Sequence, residues 1–220
     1  MQKTLRLING AELYDLSIDP GQKTDISSQH PELVSQLRQQ YETWYKDIYH
    51  NWEELSYYVV GEKGQDEMML TSHDWMGIGD PKGNPVEDED GETKSVWNHE
   101  QVRRGVLMNG HWDIDVRSEG KYLVELRRWP REIDVEICKG LNASVNPIPG
   151  GKPFGPGKAL DIKEASIDIA GMHQAATVAP TDQSVQFKVD LKKGKTELKT
   201  LFTNGSDISL GAYYVYIKKL

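Results

Sequence analysis

The sequence predicts a mainly β protein, an antiparallel β-sandwich preceded by a β-hairpin and one amphipathic helix. Three observations predict it. Apolar residues alternate with polar ones in run after run from Val102 onward. An Asn-Gly pair near the start sits between two short apolar stretches. A single 3.6-residue apolar period follows Pro31. Period two marks a half-buried strand, and the longer period marks a helix with one buried face.

The hairpin comes first. Thr4 to Ile8 and Glu12 to Leu16 read as strands, and Asn9-Gly10 between them favours the tight turn that joins antiparallel neighbours. Asp19-Pro20-Gly21 then turns the chain away. Pro31 suits the first position of a helix, where its missing N–H is not needed. Val34, Leu37, Tyr41, Trp44 and Ile48 form the apolar stripe of that helix, with Ser35, Arg38, Gln39, Glu42 and Lys46 on the other face. Two strands and a helix bury too little to be stable alone. The stripe is therefore expected to pack against protein, with a second copy of the chain as one possible partner. Residues 1–50 read as one unit.

Residues 51–100 read as an irregular connector. Tyr57 to Val60 and Met68 to Leu70 are short strand candidates, and Gly77 to Gly91 reads as an exposed acidic loop. Glu87-Asp88-Glu89-Asp90 lacks the alternate-position ligands of an EF-hand. Residues 101–220 read as the sandwich. Strands are predicted around Trp112–Val116, Tyr122–Leu126, Ile133–Ile137, Ala165–Ile169, Val185–Leu191, Leu198–Phe202 and Tyr213–Ile217. The residues from Asn146 to Gly157, rich in proline and glycine, read as a long loop.

Composition narrows function by exclusion. The chain has 220 residues, with 26 Lys+Arg against 34 Asp+Glu and a net charge of −8. An acidic balance argues against nucleic acid as a partner. No apolar run approaches the roughly 20 residues of a membrane helix, and no basic start with an apolar stretch marks a signal peptide. The one cysteine, Cys138, excludes an internal disulfide. No nucleophile elbow, phosphate loop, His-x3-His or His-Glu-x-x-His occurs, so the sequence offers no catalytic residue and no metal site.

Aromatic residues are more informative. His73, Asp74 and Trp75, with Trp97 and His99, lie in loop-like sequence. A tryptophan face flanked by polar side chains can hold a sugar ring, so these five are the candidate carbohydrate-binding residues. The competing reading makes the tryptophans packing residues. Arg103, Arg104, Arg127, Arg128 and Arg131 stand out in an acidic chain and are expected to pair with carboxylates such as Glu125 and Glu132. Trp129 is expected to lie over the end of the core, with Pro130 ending its strand.

Two stretches carry a resemblance. Glu12-Leu13-Tyr14-Asp15-Leu16, Asp19-Pro20-Gly21 and His30-Pro31-Glu32 resemble the closing segment of the C-terminal subdomain of type I sulfatases. Asn109-Gly110-His111-Trp112, Gly120-Lys121-Tyr122 and Leu126-Arg127-Arg128-Trp129-Pro130 resemble the extra C-terminal domain of certain bacterial arylsulfatases. The resemblance implies a non-catalytic C-terminal region of a sulfate-ester hydrolase, whose missing catalytic domain would be its partner. Calcium and formylglycine would belong to that missing domain, with no cofactor in this chain. The parent family suggests export. The alternative is a carbohydrate-binding module for a sulfated glycan.

Overall fold

A computed structural model describes residues 4–49, 56–79, 96–144 and 151–220. The acidic stretch 80–91 lies outside the described residues. The chain divides into two compact units, 1–55 and 56–220.

In the first unit, β1 (Leu5–Ile8) and β2 (Glu12–Asp15) pair antiparallel, with Ile8 opposite Glu12. Asn9 and Gly10 both take positive φ, at 52° and 67°, the conformation such a turn demands. Asp25 fastens the return: its carboxylate accepts from the backbone N–H groups of Leu13 and Ser27 at 3.0 and 2.8 Å. These bonds hold its pKa below the usual carboxylate value. Helix α1 (Pro31–Tyr49) begins at the proline, and Arg38 on it donates to the carbonyl of Gly10. Only the first half of the predicted stripe finds cover. Val34 and Leu37 are half-buried, whereas Tyr41, Trp44 and Ile48 are exposed, Trp44 at 57%.

The second unit is the sandwich. Its elements in chain order are β3 (Tyr58–Val60), β4 (Met68–Thr71), β5 (Met76–Gly79), α2 (His99–Arg104), β6 (Asn109–Val116), β7 (Gly120–Arg127), β8 (Glu164–Ile169), β9 (Met172–Thr177), β10 (Val185–Leu191), β11 (Gly194–Thr203), β12 (Ser209–Leu210) and β13 (Tyr214–Lys219). Among the described residues one sheet has the order β10-β7-β13-β4. The other runs β3-β6-β11-β8-β9, with β5 also on β6 and β12 also on β11. Every ladder is antiparallel except β3 on β6. The segment read as a connector thus supplies β3, β4 and β5 to the two sheets.

Alternation fills the space between the sheets. Trp112, Ile114 and Val116 from β6, Tyr122, Val124 and Leu126 from β7, and Phe187 and Val189 from β10 are all buried. Trp112 Nε1 donates to the carbonyl of Thr71 at 2.9 Å, so even the polar end of this core indole is satisfied. One predicted strand is absent. Residues 133–137 form turns and extended chain, because Pro130 leaves the ladder and Asp134 takes a positive φ of 51°. Ile137 still reaches the core, fully buried and anchored by its N–H to the carbonyl of Asp182 at 2.8 Å.

The arginines take two roles. On the outer face of the four-stranded sheet, buried Glu125 accepts from Arg127 at 3.1 Å and from Arg131 at 2.6 Å. Arg131 also grips Glu67 with both terminal nitrogens and stacks over the Tyr216 ring at 3.9 Å. Arg128 instead turns inward with no carboxylate partner among the described residues. It donates to the carbonyl of Lys158 at 2.5 Å and approaches those of Ile137 and Lys139. Trp129 lies fully buried beside it, its Nε1 on the carbonyl of Lys139 at 3.0 Å.

Trp129→Ala should cost about 3–5 kcal/mol in a urea melt, the range for truncating a large aromatic in a core. Glu125 gives a pH test. Burial pushes its carboxyl up, but the hydrogen bonds and charges of Arg131 and Arg127 outweigh this and leave it below the usual value. A lowered folded value means stability that is present above the unfolded pKa of about 4.3 and lost as pH falls through the folded value. The gap in urea midpoint between the native chain and Glu125→Gln should therefore narrow as pH is lowered below about 4.

Candidate functional site

At one corner of the sandwich the chain passes from β4 to β5 through a single 3-10 turn, Ser72–Asp74. Three bonds fix this turn. Ser72 N donates to the carbonyl of Tyr213 at 2.9 Å. Its buried hydroxyl donates to the carbonyl of Val96 at 2.7 Å. The Asp74 carboxylate accepts from the Thr71 hydroxyl at 2.8 Å. Tyr58 lies near it, and its hydroxyl pKa is pushed up to about 12 by burial first and by the Asp74 carboxylate second.

The bond from Ser72 to Val96 brings a second segment alongside. Val96 is buried, and Trp97 follows it at the start of α2. Trp97 N and Asn98 N donate to the Gln101 side chain at 2.7 and 3.1 Å, while Gln101 N donates to the Asn98 side chain at 3.0 Å. Trp97 is thus held by its backbone while the residue is 60% exposed. The His73 ring meets it edge-on, with centroids 6.3 Å apart, and His73 Nδ1 lies 3.7 Å from the Asp74 carboxylate. An exposed indole, an exposed imidazole and a half-buried carboxylate share one corner. Together they offer an apolar face with polar groups beside it.

Two of the five predicted residues lie elsewhere. Trp75 is a correction: its side chain is 4% exposed and packs on Trp112 and Tyr213, with centroids 5.9 and 6.1 Å away. It fits because Gly110 and Gly211 lie against it without side chains, and a Cβ at either position would overlap it. Trp75 is core, and no face of it can meet a ligand. His99 turns the other way, into a cluster with Phe154 at 5.2 Å and Trp129 at 6.3 Å. Burial, and then the Arg103 guanidinium, lower its pKa. His73, Asp74 and Trp97 remain together.

A second group was not visible in sequence. His111 and Asp113 on β6 and Glu197 on β11 place donor atoms within 4.8 Å of one another. Asp113 and Glu197 face each other only through the register of the two strands. Alternation could have put His111 and Asp113 on one face of one strand, but nothing local points to Glu197.

The unit is a β-sandwich with an aromatic corner. The sequence matches no protein-family model and no curated protein. Solved structures to which the chain is similar include a family 35 carbohydrate-binding module from Clostridium thermocellum, at 10% identity over 71% of this chain and 100% of the other, with a TM-score of 0.37. CBM35 from Cellvibrio japonicus Abf62 is similar at 15% identity over 69% and 91%, with a TM-score of 0.35. The CBM36-1 domain of a multidomain xylanase from the hindgut metagenome of Trinervitermes trinervoides is similar at 7% identity over 70% and 98%, with a TM-score of 0.34.

These findings correct the sulfatase resemblance. The similar structures are carbohydrate-binding modules, not sulfatase C-terminal domains. The arylsulfatase and hydrolase class and the missing catalytic domain as partner are without support among them. The physical reason lies in what the matching residues do. Asn9-Gly10 closes a hairpin, Pro31 opens a helix, and Arg128-Trp129-Pro130 closes the end of a core. Such local tasks recur in unrelated chains.

Ser72→Ala tests how the corner is held. It would leave the buried Val96 carbonyl without its donor, a loss of about 1–3 kcal/mol. A lower melting midpoint together with a shift in Trp97 fluorescence should appear; an unchanged midpoint would show that Ser72 does not tie the two segments.

Proposed function

We propose that the chain is a non-catalytic carbohydrate-binding module whose corner holds a sugar ring on Trp97. The observation that carries this reading is the exposed indole of Trp97, fixed by backbone bonds and flanked by His73 and Asp74. A sugar ring has an apolar face of C–H bonds and a rim of hydroxyls. The indole face suits the first, and the imidazole and carboxylate suit the second. A large aromatic left in water without a binding role gains nothing from burial, and here its backbone is nonetheless held in place. The reading favours a neutral or hydroxyl-rich glycan, since Asp74 places a negative charge at the corner. A sulfated glycan, the alternative the sequence offers, would set its sulfate against that charge.

Glycan-array screening followed by calorimetric titration tests the proposal. Trp97→Ala should remove binding and leave stability within about 0.5 kcal/mol, as expected of a surface substitution. His73→Ala should weaken it, and Trp44→Ala, at the exposed helix face, should change nothing. Equal glycan affinity in the native chain and in Trp97→Ala would defeat the reading.

A further inference from the structure

The outer face of the larger sheet carries a second constellation, independent of the aromatic corner. On β6, His111 and Asp113 are two residues apart and so point the same way; on β11, Glu197 stands directly opposite Asp113. Like charges directly opposed across an antiparallel pair repel one another. The Asp113 side chain is only 13% exposed, and its one charged neighbour of opposite potential is His111, whose Nε2 lies 3.8 Å away. Among the described residues no Lys or Arg pairs with Asp113. Glu197 does pair with Lys199 at 3.1 Å, but both side chains are more than half exposed, so that bond is readily exchanged. Nearby Arg117 is taken by Asp115 at 3.1 Å, and Lys195 lies over the Tyr57 ring at 4.2 Å.

The imidazole is also held from behind. Gly77 on β5 takes a φ of +58°, and a Cβ there would come within 3.1 Å of His111 Cε1 and 3.3 Å of Nδ1. The strand thus seats the ring on its Nδ1 side, and Nε2 is the nitrogen that faces the carboxylates.

We infer that His111, Asp113 and Glu197 form a site for a divalent transition cation of the zinc type. The donor set decides the class of ion. One imidazole with two carboxylates suits zinc and its neighbours, whereas calcium and magnesium take oxygen ligands alone. Around four-coordinate zinc, with bonds of about 2.0–2.1 Å, donor atoms lie about 3.3 Å apart. The three donors here already lie within 4.8 Å, so side-chain rotation brings them into range without moving the strands. The fourth position borders an open groove of about 560 Å³ lined by Asp113 and Glu197 with Tyr57, Asp168, Lys195 and Lys199. A water or a ligand oxygen would complete the coordination there.

Titration of the full chain with zinc chloride by calorimetry, paired with cobalt(II) absorption spectroscopy, tests the site. One equivalent of zinc should bind, and cobalt should give the visible bands of a four-coordinate nitrogen and oxygen set. Asp113→Asn, which keeps the shape of the side chain, should weaken zinc at least tenfold, and His111→Ala should abolish the cobalt bands; circular dichroism checks that both remain folded. His173→Ala removes the other imidazole on this sheet face, paired with Asp168 at 2.9 Å, and should bind as the native chain does. If the folded native chain takes up no zinc at millimolar concentration, or if His111→Ala takes up the same equivalent, there is no site.

Discussion

A buried cation with no carboxylate partner among the described residues ties one end of this sandwich. Arg128 is fully buried, and burial pulls its pKa down to about 10. A charge taken out of water must be compensated locally. Here carbonyl dipoles and a π face do so: Lys158 accepts from it, Ile137 and Lys139 lie near, and Trp129 stacks at 4.6 Å. Those carbonyls belong to the long passage between β7 and β8. The same passage is gripped by Arg103, which donates to the carbonyls of Gly155 and Asn142, and by Trp129 through Lys139. Gly140 and Gly157 let its two strands of chain touch, because a Cβ on either would strike the other's backbone. A neutral residue at 128 would leave three carbonyls turned inward with nothing to accept from.

The opposite strategy governs the corner at Ser72–Asp74. There the backbone is tied down and the side chains are left free. Trp75 is swallowed between Gly110 and Gly211, and its neighbours Asp74 and His73 are carried outward by the turn. The burial of one tryptophan therefore sets the direction of the residues before it. The same economy explains why Trp97 can be exposed without being loose: the capping box of α2 fixes its backbone, and Val96 is locked beneath.

Much of the architecture was legible in the sequence, and the failures share a cause. Hairpin, helix and most strands announced themselves through Asn9-Gly10, Pro31 and strict alternation. β9 did not, because Met172-His173-Gln174-Ala175-Ala176-Thr177 at the sheet edge has little apolar contrast. Residues 133–137 alternate well but have no strand to pair with once Pro130 has turned them away. In the candidate site, loop position drew attention to His73, Asp74 and Trp97, which the fold brings together. It misplaced Trp75, whose burial depends on two glycines distant in sequence. Opposition of Asp113 and Glu197 is a matter of register, which alternation along a single strand cannot express.

The topology has a temporal side. β13 lies between β7 and β4, pairing with both along most of its length. The four-stranded sheet is therefore divided until Lys219 is in place, however complete the other sheet may be. During synthesis, the edge of β7 that takes β13 would wait while some ninety further residues are added, several seconds at roughly 5–20 residues per second, and β4 would wait longer. High contact order of this kind slows folding and exposes sticky intermediates.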